Sequence, residues 1–173
     1  LREGQGLIAA CKGLAPKSGK HVHEGIEEVL GHRHPFGVLS GPTFAKELGI
    51  GLPTAVTIAS ADESFAEKFA HLLHGDGFRA YWSEDLTGVE IGGAAKNVMA
   101  IGVGIADGMS LGANTRAALI TRGLAEIMRL AIAMGGKAET LMGLAGMGDR
   151  PHRPDHRAGR GAVRSAAGAA RAR

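Results

Sequence analysis

Cysteine occurs once in the 173 residues, at Cys11. This scarcity excludes a disulfide framework and a cysteine-rich zinc site, and it is compatible with a reducing cytosol. No unbroken apolar run approaches the roughly 18 residues that a membrane-spanning helix needs, and no repeat of fixed period occurs. We expect no secretory signal peptide. We therefore expect a cytoplasmic protein without a membrane span. Because the chain begins with Leu1 rather than Met, we also expect it to start inside a larger protein.

Positive charge is concentrated at one end of the chain. The formal net charge of the whole chain is +3. Residues 1–149 hold 13 Lys and Arg against 16 Asp and Glu, a net of −3, whereas residues 150–173 hold seven Arg against one Asp, a net of +6. The basic end has Val163 as its only large aliphatic residue, so we expect it to be disordered. The body of the chain carries no charge pattern that indicates a nucleic-acid partner.

The first half of the chain has the pattern of alternating strands and helices. Four short apolar or β-branched runs, set off by Gly and Pro, predict strands at residues 6–11, 36–40, 54–59 and 78–82. The first run is apolar on both faces, which is typical of a buried parallel strand. Residues 63–73 form an amphipathic pattern that predicts a helix between the last two strands. The first half is therefore predicted to be α/β.

The second half has the pattern of helices alone. Thr87 and Glu90 have the spacing of a capping box, which predicts that a helix starts there. This helix, to about residue 106, is almost uncharged, so we expect it to be buried. Further helices are predicted at residues 115–134 and 138–144. The boundary between the α/β half and the all-helical half is predicted near residue 86.

Two glycine motifs and two histidine pairs are weak candidates for binding sites. Sequences of the form G-x-G-x-x-A occur at residues 4–9 and 75–80, but each runs into a predicted strand, whereas a dinucleotide-binding motif opens a helix. The histidine pairs lie in polar stretches with no carboxylate at a recognisable ligand spacing, so we predict solvated loops and no metal site. These pairs are His21/His23 and His32/His34.

The segment from Gly41 to Glu47 directly follows a predicted strand, where α/β proteins present loops to ligands. Glycine allows close approach of the backbone, the Thr43 hydroxyl could donate to an anionic oxygen, and Lys46 lies at a polar helix start. An ordinary strand-to-helix turn, capped by Ser40 or Thr43, explains the same residues equally well. Both interpretations stay open at this point.

Lys96 lies in the middle of the almost uncharged predicted helix. Gly92 and Gly93 precede it by one turn and Ala100 follows it by one turn, which would leave a groove around its side chain. Apolar surroundings lower the pKa of an ammonium and make it usable as a general base or acid near neutral pH. The alternative is a lysine that extends from a half-buried helix to water. Asp149 closes a glycine-rich turn and could orient an ammonium or accept a substrate hydroxyl.

Five motifs together resemble bacterial NAD(P)-dependent glycerol-3-phosphate dehydrogenase over about residues 6–149. They are LSGPTFAKE (39–47), GLPTAV (51–56), GVEIGGAAKN (88–97), GANTRAALITRG (112–123) and GLAGMGD (143–149). The resemblance implies the C-terminal part of a Rossmann-type domain for NAD or NADP in residues 1–86. It also implies the first part of an all-helical substrate domain in residues 87–149. The expected fold is therefore a partial α/β domain followed by a partial helical domain. Residues 150–173 have no counterpart in this pattern.

The resemblance also implies roles for individual residues. Lys96 looks like the residue that takes the proton from the C2 hydroxyl of glycerol 3-phosphate, or returns it to dihydroxyacetone phosphate for phospholipid synthesis. Lys12 resembles a lysine that contacts both substrate and cofactor. Gly41, Thr43 and Asp149 resemble residues that contact the substrate. Ala45 resembles a residue that contacts the cofactor. The resemblance leaves a homodimer open and implies neither a nucleic-acid partner nor a membrane span.

Two parts of the family pattern are missing from this sequence. One is the initial strand, G-x-G-x-x-G and helix that hold the pyrophosphate, and the other is the Ser-Arg-Asn triplet that grips the substrate phosphate. Arg160 stands between two glycines and does not match that triplet. Both segments would help to orient the reactants, and orientation can lower an activation barrier by roughly 7 to 11 kcal/mol. We therefore expect little or no activity from this chain alone.

Three other functional interpretations are compatible with the residues. The chain could belong to another β-hydroxyacid-type dehydrogenase that shares a buried helical lysine. It could be a non-enzymatic fragment that binds polyanions through its Arg-rich end. It could also be a poorly folded gene product without a function.

The content of Ala, Arg, Gly and Pro after Asp149 is what a GC-rich gene yields when it is translated in a shifted frame. We predict that a one-base shift of the coding DNA after codon 149 restores a family segment that contains Thr and Asn. Translation of the DNA in both shifted frames checks this. The hypothesis is wrong if neither frame encodes such a segment.

Overall fold

The structure is a computed structural model that describes residues 1–2 and 4–144. Asp149 and the Arg-rich end, residues 150–173, lie outside the described residues. The elements are β1 (Leu7–Ala9), α1 (Val22–Leu30), a 3-10 turn (Gly31–Arg33), β2 (Phe36–Ser40), α2 (Ala45–Gly49), β3 (Thr54–Ala59), α3 (Glu63–Leu73), β4 (Phe78–Ser83), α4 (Leu86–Gly108), α5 (Gly112–Ala133) and α6 (Ala138–Leu144).

The four strands form one mixed sheet in the order β1-β2-β3-β4. The outer pairs, β1 with β2 and β3 with β4, are parallel, whereas β2 and β3 are antiparallel. Each parallel pair is connected through a helix, α1 or α3, as parallel connections require. The α/β prediction for this half is confirmed, and the two G-x-G-x-x-A sequences lead into β1 and β4 as predicted.

The predicted strand at residues 6–11 is wrong in its extent and burial. Only Leu7 to Ala9 form β1, and their side chains are half-buried rather than buried. Within the described sheet, β1 is an edge strand that pairs with β2 alone. An edge position exposes part of each side chain, which explains why a run that is apolar on both faces is not fully enclosed.

Apolar side chains pack on both faces of the sheet. The cluster beneath α1 and α4 consists of Phe36, Val38, Ala59, Leu86 and Val89. The cluster beneath α3 consists of Val56, Ile58, Ala66, Ala70 and Ala80. Successive residues of β3 contribute to opposite clusters because side chains alternate along a strand. Burying a side chain such as Ile58, which is fully enclosed, contributes roughly 1.5 to 3 kcal/mol.

The N-cap of α4 is Asp85, not Thr87 as the capping-box pattern predicted. One oxygen of the buried Asp85 carboxylate accepts the amide of Gly88 at 2.8 Å, and the other accepts the amide of Lys137 at 2.8 Å. The carboxylate therefore caps α4 and also holds the connection between α5 and α6. Glu90 does not reach back to the helix start, because its carboxylate binds α1 instead.

The two halves of α4 differ in burial. Its first two turns lie in the core, and Ile91 packs there with Ala131 of α5. Beyond residue 97 several large apolar side chains are exposed, with Val98 at 72% and Ile101 at 65%, although Ala106 is buried. The expectation of a wholly buried helix is therefore wrong for its second half. By length and composition alone, α4 could cross a membrane, but buried core helices meet the same criterion.

The remaining helices follow the sequence pattern to different degrees. The predictions at residues 63–73 and 138–144 are confirmed by α3 and α6. Helix α5 begins three residues earlier than predicted, at Gly112, whose positive φ of 84° favours glycine. Helix α1 was not predicted, because its sequence is polar and contains Gly25. The helix start expected near Lys46 corresponds to α2, which begins one residue earlier, at Ala45.

We predict that Asp85→Ala lowers the free energy of unfolding by about 3 kcal/mol, since it leaves two backbone amides at buried or half-buried positions without their acceptor. Asp62→Ala is the matched control. Asp62 is an exposed N-cap that accepts only the amide of Phe65, so its loss should cost about 1 kcal/mol. Urea unfolding measures both values. Equal losses in the two variants would contradict the bridging role of Asp85.

Candidate functional site

Two residues that the sequence singled out meet at the carboxyl ends of β1 and β2. Lys12 follows β1 and Gly41 directly follows β2. The ammonium of Lys12 donates a hydrogen bond to the carbonyl oxygen of Gly41 at 3.1 Å. Ligands of open α/β sheets bind at this edge, because the loops that follow the strands converge there. The contact orients a cation at the place where an anionic ligand would bind.

Lys96 lies on α4 with its side chain half-buried, close enough to Lys12 to interact electrostatically. Burial is the larger cause that lowers the pKa of Lys96 below its usual value, and the positive charge of Lys12 is the second cause. The pKa therefore shifts in the direction that the apolar helix sequence indicated. A lysine with a lowered pKa is neutral in a larger fraction near neutral pH, which suits it for proton transfer.

The glycine one turn before Lys96 does not leave an empty groove. A Cβ atom on Gly93 would lie 2.5 Å from the hydroxyl oxygen of Ser40 and 3.9 Å from Cγ of Lys12. The missing side chain therefore lets α4 pack directly against the end of β2, which corrects the groove interpretation. Residues three apart share a helix face. This close packing brings Lys96 to the same strand ends as Lys12.

Gly41 is required for packing within the sheet. A Cβ atom at this position would lie 2.5 Å from the carbonyl oxygen of Ala55 and 3.0 Å from the Cα atom of Val56. Both neighbours are backbone atoms and cannot rotate away. The sequence interpretation assigned this glycine to the approach of a ligand. The structure shows that the close approach is to β3, while the carbonyl of Gly41 faces Lys12.

Thr43 and Ala45 lie further along the loop that follows Gly41. Thr43 is half-buried and precedes α2, whereas Ala45 is exposed and is the first residue of α2. The N-cap of α2 is Phe44, and no side chain caps this helix. The expectation that Ser40 or Thr43 caps it is therefore wrong.

The structure also brings together a polar cluster that the sequence analysis missed. His21 is the buried N-cap of α1, His23 lies in the first turn of α1, and Glu90 is buried on α4. Nδ1 of His21 is 3.0 Å and Nδ1 of His23 is 2.6 Å from Oε2 of Glu90. The prediction of a solvated loop at this histidine pair is wrong. Sequence spacing did not reveal the carboxylate because it lies 67 residues from His23.

The hydrogen bond to the Glu90 carboxylate raises the pKa of His23 above its usual value, although burial acts in the opposite direction. One signal in the sequence pointed to this cluster. Glu90 is an acid in the almost uncharged part of a helix that was predicted to be buried, and a buried carboxylate needs a partner. His34 has a different setting, in which its Nδ1 lies 3.1 Å from the carbonyl oxygen of Gln5.

Two sequence profiles of one family match this chain. The profile of the NAD-dependent glycerol-3-phosphate dehydrogenase N-terminus matches residues 1–66. The profile of the NAD-dependent glycerol-3-phosphate dehydrogenase C-terminus matches residues 85–151. The second match begins at the N-cap of α4, where the helical part of the chain starts.

Curated relatives carry the same description. The chain is 59% identical over 143 residues to the glycerol-3-phosphate dehydrogenase [NAD(P)+] of Nitrosococcus oceani, which corresponds to 83% of this chain and 42% of that protein. It is 53% identical over 146 residues to the corresponding enzyme of Xanthomonas campestris, which corresponds to 84% of this chain and 43% of the relative. The chain thus spans less than half the length of these relatives.

Solved structures of the same description share the fold. The glycerol-3-phosphate dehydrogenase of Coxiella burnetii is 48% identical with a TM-score of 0.77, and the match covers 84% of this chain and 44% of that one. The enzyme of Saccharomyces cerevisiae is 27% identical with a TM-score of 0.72, and the match covers 86% and 47%. The sheet is accordingly Rossmann-like. The chain belongs to the NAD-dependent glycerol-3-phosphate dehydrogenase family.

Proposed function

We propose that the whole protein interconverts dihydroxyacetone phosphate and sn-glycerol 3-phosphate with NAD or NADP, and that this chain supplies the proton-transferring part of the site. The observation that carries the proposal is the position of Lys96 beside Lys12 at the carboxyl ends of β1 and β2, with a lowered pKa. The descriptions of the relatives indicate the same reaction.

Lys96 is the proposed general base and acid. In the oxidative direction, its neutral amine accepts the proton of the C2 hydroxyl while a hydride leaves C2. In the reductive direction, its ammonium returns the proton to the oxygen of the carbonyl group. The nicotinamide cofactor, when bound, accepts or supplies the hydride. Positioned proton transfer of this kind contributes typically 10²- to 10⁴-fold to a rate.

Lys12 is the proposed electrostatic anchor for the anionic reactants. Its hydrogen bond to the carbonyl of Gly41 holds its ammonium at the strand ends, and its stem packs near Gly93. Two cations at one edge fit a phosphate-bearing substrate and a dinucleotide, since both ligands are anionic. We propose Lys12 and Ala45 as cofactor contacts, and Lys12, Gly41, Thr43, Lys96 and Asp149 as substrate contacts.

We propose that residues 1–86 are the C-terminal part of the cofactor domain and residues 87–149 the first part of the substrate domain. The start of α4 at Leu86 and the change from a mixed sheet to helices alone support this division. We also propose a cytoplasmic location. Cys11 is a free, exposed thiol, and such a thiol is most compatible with a reducing compartment.

A chimeric enzyme tests the proton-transfer role. Residues 6–144 replace the corresponding segment of the Nitrosococcus oceani relative, and oxidation of NADH or NADPH by dihydroxyacetone phosphate is followed by absorbance. We predict that the chimera is active and that Lys96→Met lowers its kcat by about 10²-fold or more. The control is Lys68→Met on the exposed face of α3, which should keep full activity. The role of Lys96 is refuted if both substitutions leave the rate unchanged.

The pH dependence of the same chimera tests the electrostatic coupling of the two lysines. Glycerol 3-phosphate oxidation needs a neutral Lys96, so kcat/KM should rise as the pH passes the pKa of this residue. Because Lys12 lowers that pKa, Lys12→Gln should move the rising limb of the profile to higher pH. Lys68→Gln should leave the limb in place. If the rising limb of the Lys12→Gln enzyme lies at the same pH as that of the original chimera, the charge of Lys12 does not control the protonation of Lys96 in the reaction.

A further inference from the structure

We propose that His21, His23 and Glu90 form a zinc-binding site that connects the start of α1 to the first half of α4. The site is distinct from the proposed catalytic lysine. Glu90 precedes Lys96 by six residues on α4, which corresponds to about 9 Å along the helix axis and to a different helix face.

The ligand atoms have nearly the spacing that zinc needs. One atom from each of the three side chains lies within 4.8 Å of the others. Oε2 of Glu90 lies 3.0 Å from Nδ1 of His21 and 2.6 Å from Nδ1 of His23. In a tetrahedral site with bonds of about 2.0 to 2.1 Å, ligand atoms lie about 3.3 Å apart. To admit the ion, Nδ1 of His23 and Oε2 of Glu90 would have to move apart by about 0.7 Å, and the side chains would have to rotate to close the remaining ligand distances.

The Glu90 carboxylate is already oriented toward the two imidazoles. Its Oε1 accepts the backbone amide of His23 at 3.0 Å, which leaves Oε2 to face both rings. The backbone amide of His21 donates to the carboxylate of Glu24 at 2.6 Å, which fixes the first turn of α1. Hydrogen bonds that hold ligands in place from outside the site are the usual support of a metal centre.

The Nδ1 atom of His21 lies 3.0 Å from Oε2 of Glu90 but is poorly directed for a hydrogen bond to it. The residue is 8% exposed, and this nitrogen makes no well-directed hydrogen bond within the described part of the chain, although it lies near Glu90. A buried polar atom without a hydrogen bond costs about 1 to 3 kcal/mol. A metal ion would use the lone pair of this nitrogen and remove that cost.

The set of ligands favours zinc over other common cations. Two imidazole nitrogens and one carboxylate oxygen are typical zinc ligands, and water can complete the four positions. Calcium and magnesium prefer sites made of oxygen atoms alone. Because the ligands come from α1 and α4, a bound ion would stabilise the packing of these helices on the sheet.

Zinc binding to the full chain tests the proposal. The chain is stripped with a chelator, and ZnCl₂ is titrated in competition with a chromophoric chelator. We expect one zinc ion bound through this cluster and a melting temperature that rises with zinc. His21→Leu fills the buried position without offering a ligand atom, so it should weaken that binding by roughly 100-fold and abolish the rise. Visible absorption of the Co²⁺ form should show a four-coordinate centre that the variant lacks.

Two controls remove histidines from other places. His71→Gln removes an exposed imidazole that lies 3.8 Å from the carboxylate of Glu67, outside the proposed cluster. His152→Gln combined with His156→Gln removes the histidines of the Arg-rich end. Both proteins should bind zinc at this cluster as tightly as the original chain.

Three results would overturn the proposal. One is the absence of zinc binding to the original chain, which would identify the cluster as a buried ion pair only. Another is unchanged affinity in His21→Leu, and the third is loss of binding in the double variant of the Arg-rich end alone. If His21→Leu does not fold, His23→Gln decides instead. Its metal-free form must show the original circular dichroism spectrum, and its zinc affinity must fall if the proposal is correct.

Discussion

The direct packing of the first two turns of α4 against the sheet is the constraint on which both polar clusters depend. Gly93 allows it, since a Cβ atom there would lie 2.5 Å from the hydroxyl oxygen of Ser40, and this side chain would have to rotate away. The N-cap Asp85 fixes where the helix begins and joins it to the connection between α5 and α6. With its start and its depth both fixed, α4 presents Lys96 to the strand ends and Glu90 to α1.

The two clusters show how charge is accommodated on an apolar helix. Lys96 is half-buried beside a second cation, so both effects favour its neutral form and lower its pKa. Glu90 is more deeply buried, but two imidazoles and a backbone amide surround its carboxylate. A buried carboxylate without such partners would be strongly destabilising. The same helix therefore holds a lysine with a lowered pKa and a carboxylate held by hydrogen bonds.

The second half of α4 has a different environment. Together with α5 it borders an apolar groove of about 820 Å³ whose lining includes Val98, Val103, Leu119 and Ile127. Within the described residues this groove is open to water. The apolar area that stays exposed there does not contribute to the free energy of folding, because only area removed from water stabilises the fold. The stable packing of α4 is thus concentrated in its first half, around the sheet and the C-terminal end of α5.

Local sequence determined most of the secondary structure. Apolar and β-branched runs set off by Gly and Pro located β2 and β3 at their observed bounds, and amphipathic spacing located α3. The apolar surroundings of Lys96 in the sequence indicated the direction of its pKa shift, because burial is the larger cause of that shift. The five motifs indicated the family, since their order and spacing are more specific than any one of them.

Only the tertiary structure decided which residues meet across the chain. Thr87 and Glu90 have the spacing of a capping box, yet Asp85 caps the helix and Glu90 binds His23, because a buried carboxylate binds the donors that folding brings to it. Gly41 lies against backbone atoms of β3, and Gly93 lies against the hydroxyl of Ser40. These neighbours are distant in sequence, so the sequence alone did not show why glycine occupies the two positions. Sequence patterns report periodicity within an element, whereas close packing and the pairing of buried charges depend on how elements are placed against one another.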